Sequence, residues 1–355
     1  MSALAAPATV RARSPRVRPA TTVVSAAVLV ALGVLVSASV GELRLPLADV
    51  ARVLAGQGDP MATLVVREFR LPRVAAAVVV GAGLALSGAI LQSLARNPLA
   101  SPDVLGINAG ASVAAVSVVI LAGSAGGVSG LASAVALPVA ALVGAIASGV
   151  LLHLLALRGR ALDPMRMVVI GVGISAGGTS LVSWLLTLGD VTRVGAALTW
   201  LSGSLHTATW PRTAAACLAL VLAVPLLLVW VRRLDSLELG DDTARGHGVS
   251  VDRTRVGMLL LATALAGAAV SAAGAVAFVA LAAPQLARGL AGTTRPPLLG
   301  SALVGAALLV WADLAARMAL SWLGLGPIEL PVGVLTAFVG APYLLYLVSR
   351  ERARD

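Results

Sequence analysis

Long uncharged apolar runs alternate with short charged clusters along the whole 355-residue chain. An Arg or Asp at the bilayer centre costs about 2.5–3.5 kcal/mol on the insertion scale, so the clusters mark loops and the runs mark membrane-crossing helices. Residues 21–40, 167–189 and 213–231 each fit one crossing of about 20 residues. The run 104–157 is too long for one helix and breaks at the glycine-rich stretch 123–130, so it predicts two. The run 256–287 exceeds one crossing and is expected to split near Ala272, Ala273, Gly274 and Ala275, leaving a short helix that ends at Arg288. Both ends of the chain are Arg-rich, through Arg11, Arg13, Arg16 and Arg18 and through Arg350, Arg352 and Arg354. The positive-inside rule then asks for an even number of spans, and the split turns nine into ten. Ten spans place 18 of the 26 arginines on the inner side and 8 on the outer.

The run 21–40 has no convincing cleavage site after it and reads as a retained first helix rather than a signal peptide. Two stretches, 194–205 and 320–330, look like partial helices on the external face. Short segments in corresponding halves are expected of an inverted repeat lining a pathway. The organisation is an Arg-rich cytoplasmic tail (1–20), one polytopic domain (21–349) and a cytoplasmic tail (350–355).

Composition narrows the chemistry. With 59% hydrophobic and 12% charged residues, the chain cannot hide its apolar surface in a soluble core. Its basic residues are all Arg, so a phosphate-binding loop ending in Gly-Lys-Ser/Thr is absent and no ATP site of that kind is expected. A single cysteine, Cys217, can form no internal disulfide, and three scattered histidines make no metal site by spacing. Membrane topology explains the net charge of +10 better than nucleic-acid binding does.

Four segments carry candidate function. Arg70 and Arg73 stand just outside the second span, either as snorkelling helix-end residues or as a cationic rim for an acidic external partner. The inner loop 232–255 balances five arginines against five acids, and Leu234, Leu237, Leu239 and Ala244 recur at roughly helical spacing. It is either a connector on the headgroups or a short helical plug for a cytoplasmic partner, with Asp241 or Asp242 as a possible cap. Asp313 and Arg317, four residues apart, can pair on one helix face, and Arg317 could instead join the rim. Gly171, Gly173, Ser175 and Gly177 suit either a pathway-lining helix or close helix packing.

The segments RLPR (70–73), SGAILQSLARNPLASPDVLGINAGA (87–111), WLSGSL (200–205), LGDDTARGHGV (239–249), GAVAFVALAAPQLAR (274–288), ADLAAR (312–317) and ELPVG (329–333) carry a close resemblance. In that order they resemble the permease subunits of ATP-driven importers for iron-siderophore complexes, haem and vitamin B12. The resemblance implies an all-α membrane protein of about ten transmembrane helices with short external half-helices, like the vitamin B12 importer permease, in a bacterial cytoplasmic membrane. It implies a second permease subunit, identical or paralogous, and two cytoplasmic ATPase subunits that bind the ATP and magnesium. It also implies an external substrate-binding protein and a ferric chelate as cargo, with haem or vitamin B12 as alternatives.

By the same resemblance Arg70, Arg73 and Arg317 meet carboxylates of the binding protein, while Leu239, Gly240, Asp241, Ala244, Arg245 and Gly248 form the ATPase-coupling segment. The chain departs from the family pattern at Gln285, where His is usual, and at Thr293-Thr294-Arg295, where Asp-His-Arg is usual. An ion-coupled carrier is the rival reading, but it would want ionisable residues at mid-membrane, and the spans hold little beyond Asp313 and Arg317. A membrane enzyme is less favoured still, since no nucleophile, base or metal set converges.

Overall fold

The computed structural model describes residues 19–41, 45–121, 131–158, 161–324, 326 and 329–352. The tail arginines Arg11, Arg13, Arg16, Arg18 and Arg354 and the break at 123–130 lie outside the described residues. The chain opens with α1 (Pro19–Ser39), followed by two short helices, α2 (Leu47–Leu54) and α3 (Pro60–Leu64). Asp59 accepts from the amides of Met61 and Ala62, with Pro60 at the first helical position, so α3 begins on a side-chain cap. A π-helical turn (Val65–Arg70) joins α3 to α4 (Leu71–Ala95).

The remaining helices are α5 (Ile107–Leu121), α6 (Leu131–Ala156), α7 (Pro164–Thr187), α8 (Val191–Leu201) and α9 (Trp210–Glu238), then α10 (Asp241–Gly246), α11 (Val251–Ala273), α12 (Val279–Ala291), α13 (Leu298–Trp322) and α14 (Val332–Arg352). A two-residue antiparallel ladder, Leu157–Arg158 with Ala161–Leu162, closes the turn before α7.

Among the described residues seven helices are long and apolar enough to cross a bilayer: α1, the continuous Pro60–Ala95, α6 from Val135, α7, α9, α11 and α13. Two shorter apolar segments, α5 and Val332–Leu345 of α14, add to these, and the 13-residue α12 is the short helix expected after the break in the run 256–287. The run 256–287 does divide where anticipated. Gly274 ends α11 at φ +74°, and Phe278, also at positive φ, precedes α12. The partial helix expected over 194–205 is α8. That expected over 320–330 is corrected: α13 continues to Trp322 and ends in a turn at Leu323 and Gly324, and no separate helix follows before Val332 among the described residues. Gly324 adopts φ +72°, which stops the helix instead of starting another.

α4 is the central element. Its face toward α13 crosses at Gly81 and Gly305, each of which would drive a Cβ into the other's backbone. Its face toward α12 crosses at Gly88, where a Cβ would strike the carbonyl of Ala280. α5 and α6 meet similarly through Gly110 and Gly144. Small residues let backbones approach where lipid supplies no hydrophobic drive between helices, so contact area must come from packing. α1 is seated on α13 as well, with Trp311 Nε1 donating to the Leu29 carbonyl at 3.1 Å.

Candidate functional site

The three rim arginines converge at one end of α1, but each is turned inward. The π-helical turn adds a residue to the helical repeat and rotates Arg70 toward the last turn of α1. There its guanidinium donates to the carbonyls of Ala38 (2.7 Å) and Ser39 (3.1 Å), groups that a helix C-terminus leaves unpaired. Arg317 reaches the same end from α13, donating to the Val40 carbonyl at 3.3 Å and to Ser37 Oγ. Arg73 grips Asp313 through Nε (3.1 Å) and Nη2 (3.0 Å), and Glu329 through Nη1 (2.8 Å). Arg317 Nε lies 3.2 Å from Asp313 Oδ2, the four-residue pairing anticipated from the sequence.

Glu329 and His206 extend this network, and neither was singled out as part of it from sequence. His206 Nδ1 is 3.2 Å from Glu329 Oε2. Partial burial works against the charge on Glu329, but Arg73 and His206 outweigh it and hold the carboxyl below the ordinary range. The only available signal was the motif ELPVG itself, since His206 and Glu329 are 123 residues apart.

The network forms part of the wall of a cavity of about 1100 Å³. Arg212, Phe69, Trp200 and His206 line it with the three rim arginines, together with Gly274 and Pro331. Four guanidiniums against Asp313 and Glu329 leave this hollow cationic.

At the opposite end, α9 runs on through Leu234 and Leu237, both buried, so the leucine row belongs to a span terminus. Gly240 turns the chain at φ +108°, a conformation that disfavours any side chain. It also precedes α10 without a side-chain cap. Asp241 does not cap, because its carboxylate accepts from Arg96 and Arg255, each at 2.8 Å. Ala244 is fully buried and pins α10, whereas Leu239, Asp242, Arg245 and Gly248 remain exposed. The segment is a raised knuckle on a fixed base.

On α7 the four candidate positions divide. Gly171 packs tightly on Leu105, and Ser175 Oγ donates to the Asp103 carbonyl at 2.7 Å. Gly173 and Gly177 face open space with Ala176 and Ser180 on the same stripe. Two of the four are therefore packing positions, and two lie on a free small-residue face. Among the described residues no group of His, Cys, Asp and Glu could hold a metal ion.

Comparison with known proteins bears on this arrangement. The profile of the FecCD transport family matches residues 29–350. The ferric enterobactin transport system permease protein FepG of Escherichia coli is 40% identical over 311 residues, covering 88% of this chain and 90% of that one. The Fe(3+) dicitrate transport system permease protein FecD of the same organism is 42% identical over 289 residues, covering 81% and 86%. A solved inward-facing conformation of a metal-chelate type ABC transporter superposes with a TM-score of 0.78 at 27% identity. That match spans 92% of this chain and 98% of the other.

Proposed function

The chain belongs to the FecCD transport family, and from that premise we propose that it is the membrane permease of an ABC importer carrying a ferric siderophore. The observation that carries the reading is the near full-length likeness to ferric-chelate permeases, joined to an all-helical fold with a cationic cavity at one end and an exposed knuckle at the other.

In this reading the cavity end faces outward and receives a substrate-binding protein, whose carboxylates meet the mouth lined by Arg70, Arg73 and Arg317. Because these arginines are already bonded within the chain, docking adds orientation and rate more than affinity. The knuckle from Leu239 to Gly248 sits in a groove of a cytoplasmic ATPase, which supplies the ATP and magnesium chemistry. A second permease, identical or paralogous, completes the pathway, and the open stripe of Gly173 and Gly177 faces it. ATP-driven movement of the knuckle alternates the pathway between outward-open and inward-open states. The permease itself makes and breaks no bonds. Both chain ends lie on the knuckle side, in the cytoplasm of a bacterium.

Deletion of this chain should abolish uptake of radioactive iron presented as the siderophore complex, with uptake restored by the wild-type gene. Uptake undiminished by the deletion would reject the assignment.

A further inference from the structure

A second pocket, of about 270 Å³, opens on the knuckle face between the ends of α4 and α12 and the turn that follows α12. Arg96, Arg288, Arg295, Gln92, Gln285 and Thr294 line it. Its charges do not balance. Asp241 is shared between Arg96 and Arg255, Asp235 pairs with Arg295, and Arg288 has no ion pair among the described residues. Three guanidiniums therefore line the pocket, those of Arg96 and Arg295 each sharing a carboxylate and that of Arg288 with none among the described residues. Arg288 also stands on the last turn of α12, where the helix carbonyls favour a cation and hold it in place.

The pocket has a built inner wall. Gln92 Nε2 donates to the Leu281 carbonyl at 3.1 Å, and Gln285 Nε2 donates to Gln92 Oε1. Both glutamines are about 4% exposed. Gln285 Oε1 is buried and receives no donor, and turning the amide over cannot help, because its nitrogen already faces two acceptors, Gln92 Oε1 and the Pro98 carbonyl. A buried acceptor left without a donor costs about 1–3 kcal/mol, a cost that a hydroxyl or N–H reaching it would relieve. Excess guanidinium charge at the mouth and a donor-seeking oxygen behind it define one ligand chemistry.

We propose that this pocket binds a hydroxyl-bearing phosphate anion, carried either by inorganic phosphate or by the headgroup of an anionic phospholipid such as phosphatidylglycerol. Arginine pairs with phosphate oxygens through its planar fork, and the P–OH or glycerol hydroxyl donates to Gln285 Oε1. Basic pockets between helix ends at the headgroup level have the geometry for lipid phosphates.

The test uses the full chain in detergent. Equilibrium dialysis with radiolabelled inorganic phosphate reads the free-ion source. Native mass spectrometry after exposure to mixed phosphatidylglycerol and phosphatidylcholine micelles reads the lipid source. In at least one arm the wild type should bind, and Arg288→Gln should lower that binding about fivefold, while Arg288→Lys, which keeps the charge and loses the fork, should lower it by less. Arg166→Gln, an exposed arginine at the start of α7 outside the pocket, should leave it unchanged. Absence of binding in both arms for the wild type overturns the proposal without reference to any variant. Equal binding by wild type and Arg288→Gln, or an equal loss with Arg166→Gln, overturns it as well.

Discussion

Asp313 carries the network at the cavity end: about 1% exposed, it accepts from Arg73 and stands against Arg317. Removing its charge leaves two buried guanidiniums facing one another, a change that costs about 3–5 kcal/mol in comparable buried pairs. Asp313→Asn should therefore lower the thermal unfolding midpoint in detergent markedly, whereas Arg52→Ala, which breaks an exposed pair with Asp49, should cost no more than about 1 kcal/mol. Glu329 gives the pH counterpart. Its carboxyl is held below its ordinary value of 4.5, so the stability it contributes is present above that value and is lost as pH falls through the lower folded value. The gap in stability between wild type and Glu329→Gln should shrink as pH falls below about 4.5. A gap that instead goes on widening below that pH would contradict the Arg73–Glu329 contact. At this scale the Asp313–Arg317 pair was readable because both partners sit on one helix. The Arg73–Asp313 pair spans 240 residues, and its geometry exists only once α4 and α13 have crossed.

Among the elements, glycine separates into two kinds. A Cβ at Gly88 meets the backbone of α12, which has no flexible end to swing aside, whereas one at Gly177 meets nothing. Gly88→Ala should destabilise the fold by about 1–3 kcal/mol, read as thermal unfolding, and Gly177→Ala should leave it unchanged. Gly177→Trp should then fold normally yet slow transport if that stripe lines the pathway. Gly240→Pro tests the knuckle: φ +108° is closed to proline, so α10 should be misdirected while the ten spans still insert, and transport should be lost with ATP hydrolysis retained. Transport at the wild-type rate would reduce the segment to a connector. Apolar runs made the spans and the break at Gly274 legible, because bilayer length constrains them directly. The short α2 and α3 escaped that reading, since Asp49, Arg52 and Asp59 interrupt any run there and amphipathic elements of this size leave no span-length signal. The expectation of a helix over 320–330 failed because apolar composition alone cannot distinguish the end of one helix from the start of another.

For the whole molecule, one end gathers arginines around a cavity and the other presents a short exposed helix on a fixed base, with helices crossing at glycines between them. That polarity suits a passive conduit worked from outside itself, and the scarcity of ionisable groups in its spans disfavours transport driven by an ion gradient. Which chains complete the assembly could be inferred from resemblance but not from periodicity, because a coupling surface is defined by a partner's shape. The most direct measurement is ferric-siderophore accumulation in proteoliposomes containing this chain, the paralogous permease where the second copy is not identical, the ATPase and the binding protein. Accumulation should require every one of these components and ATP. Accumulation against a gradient in vesicles that contain this chain without the ATPase would contradict the central claim.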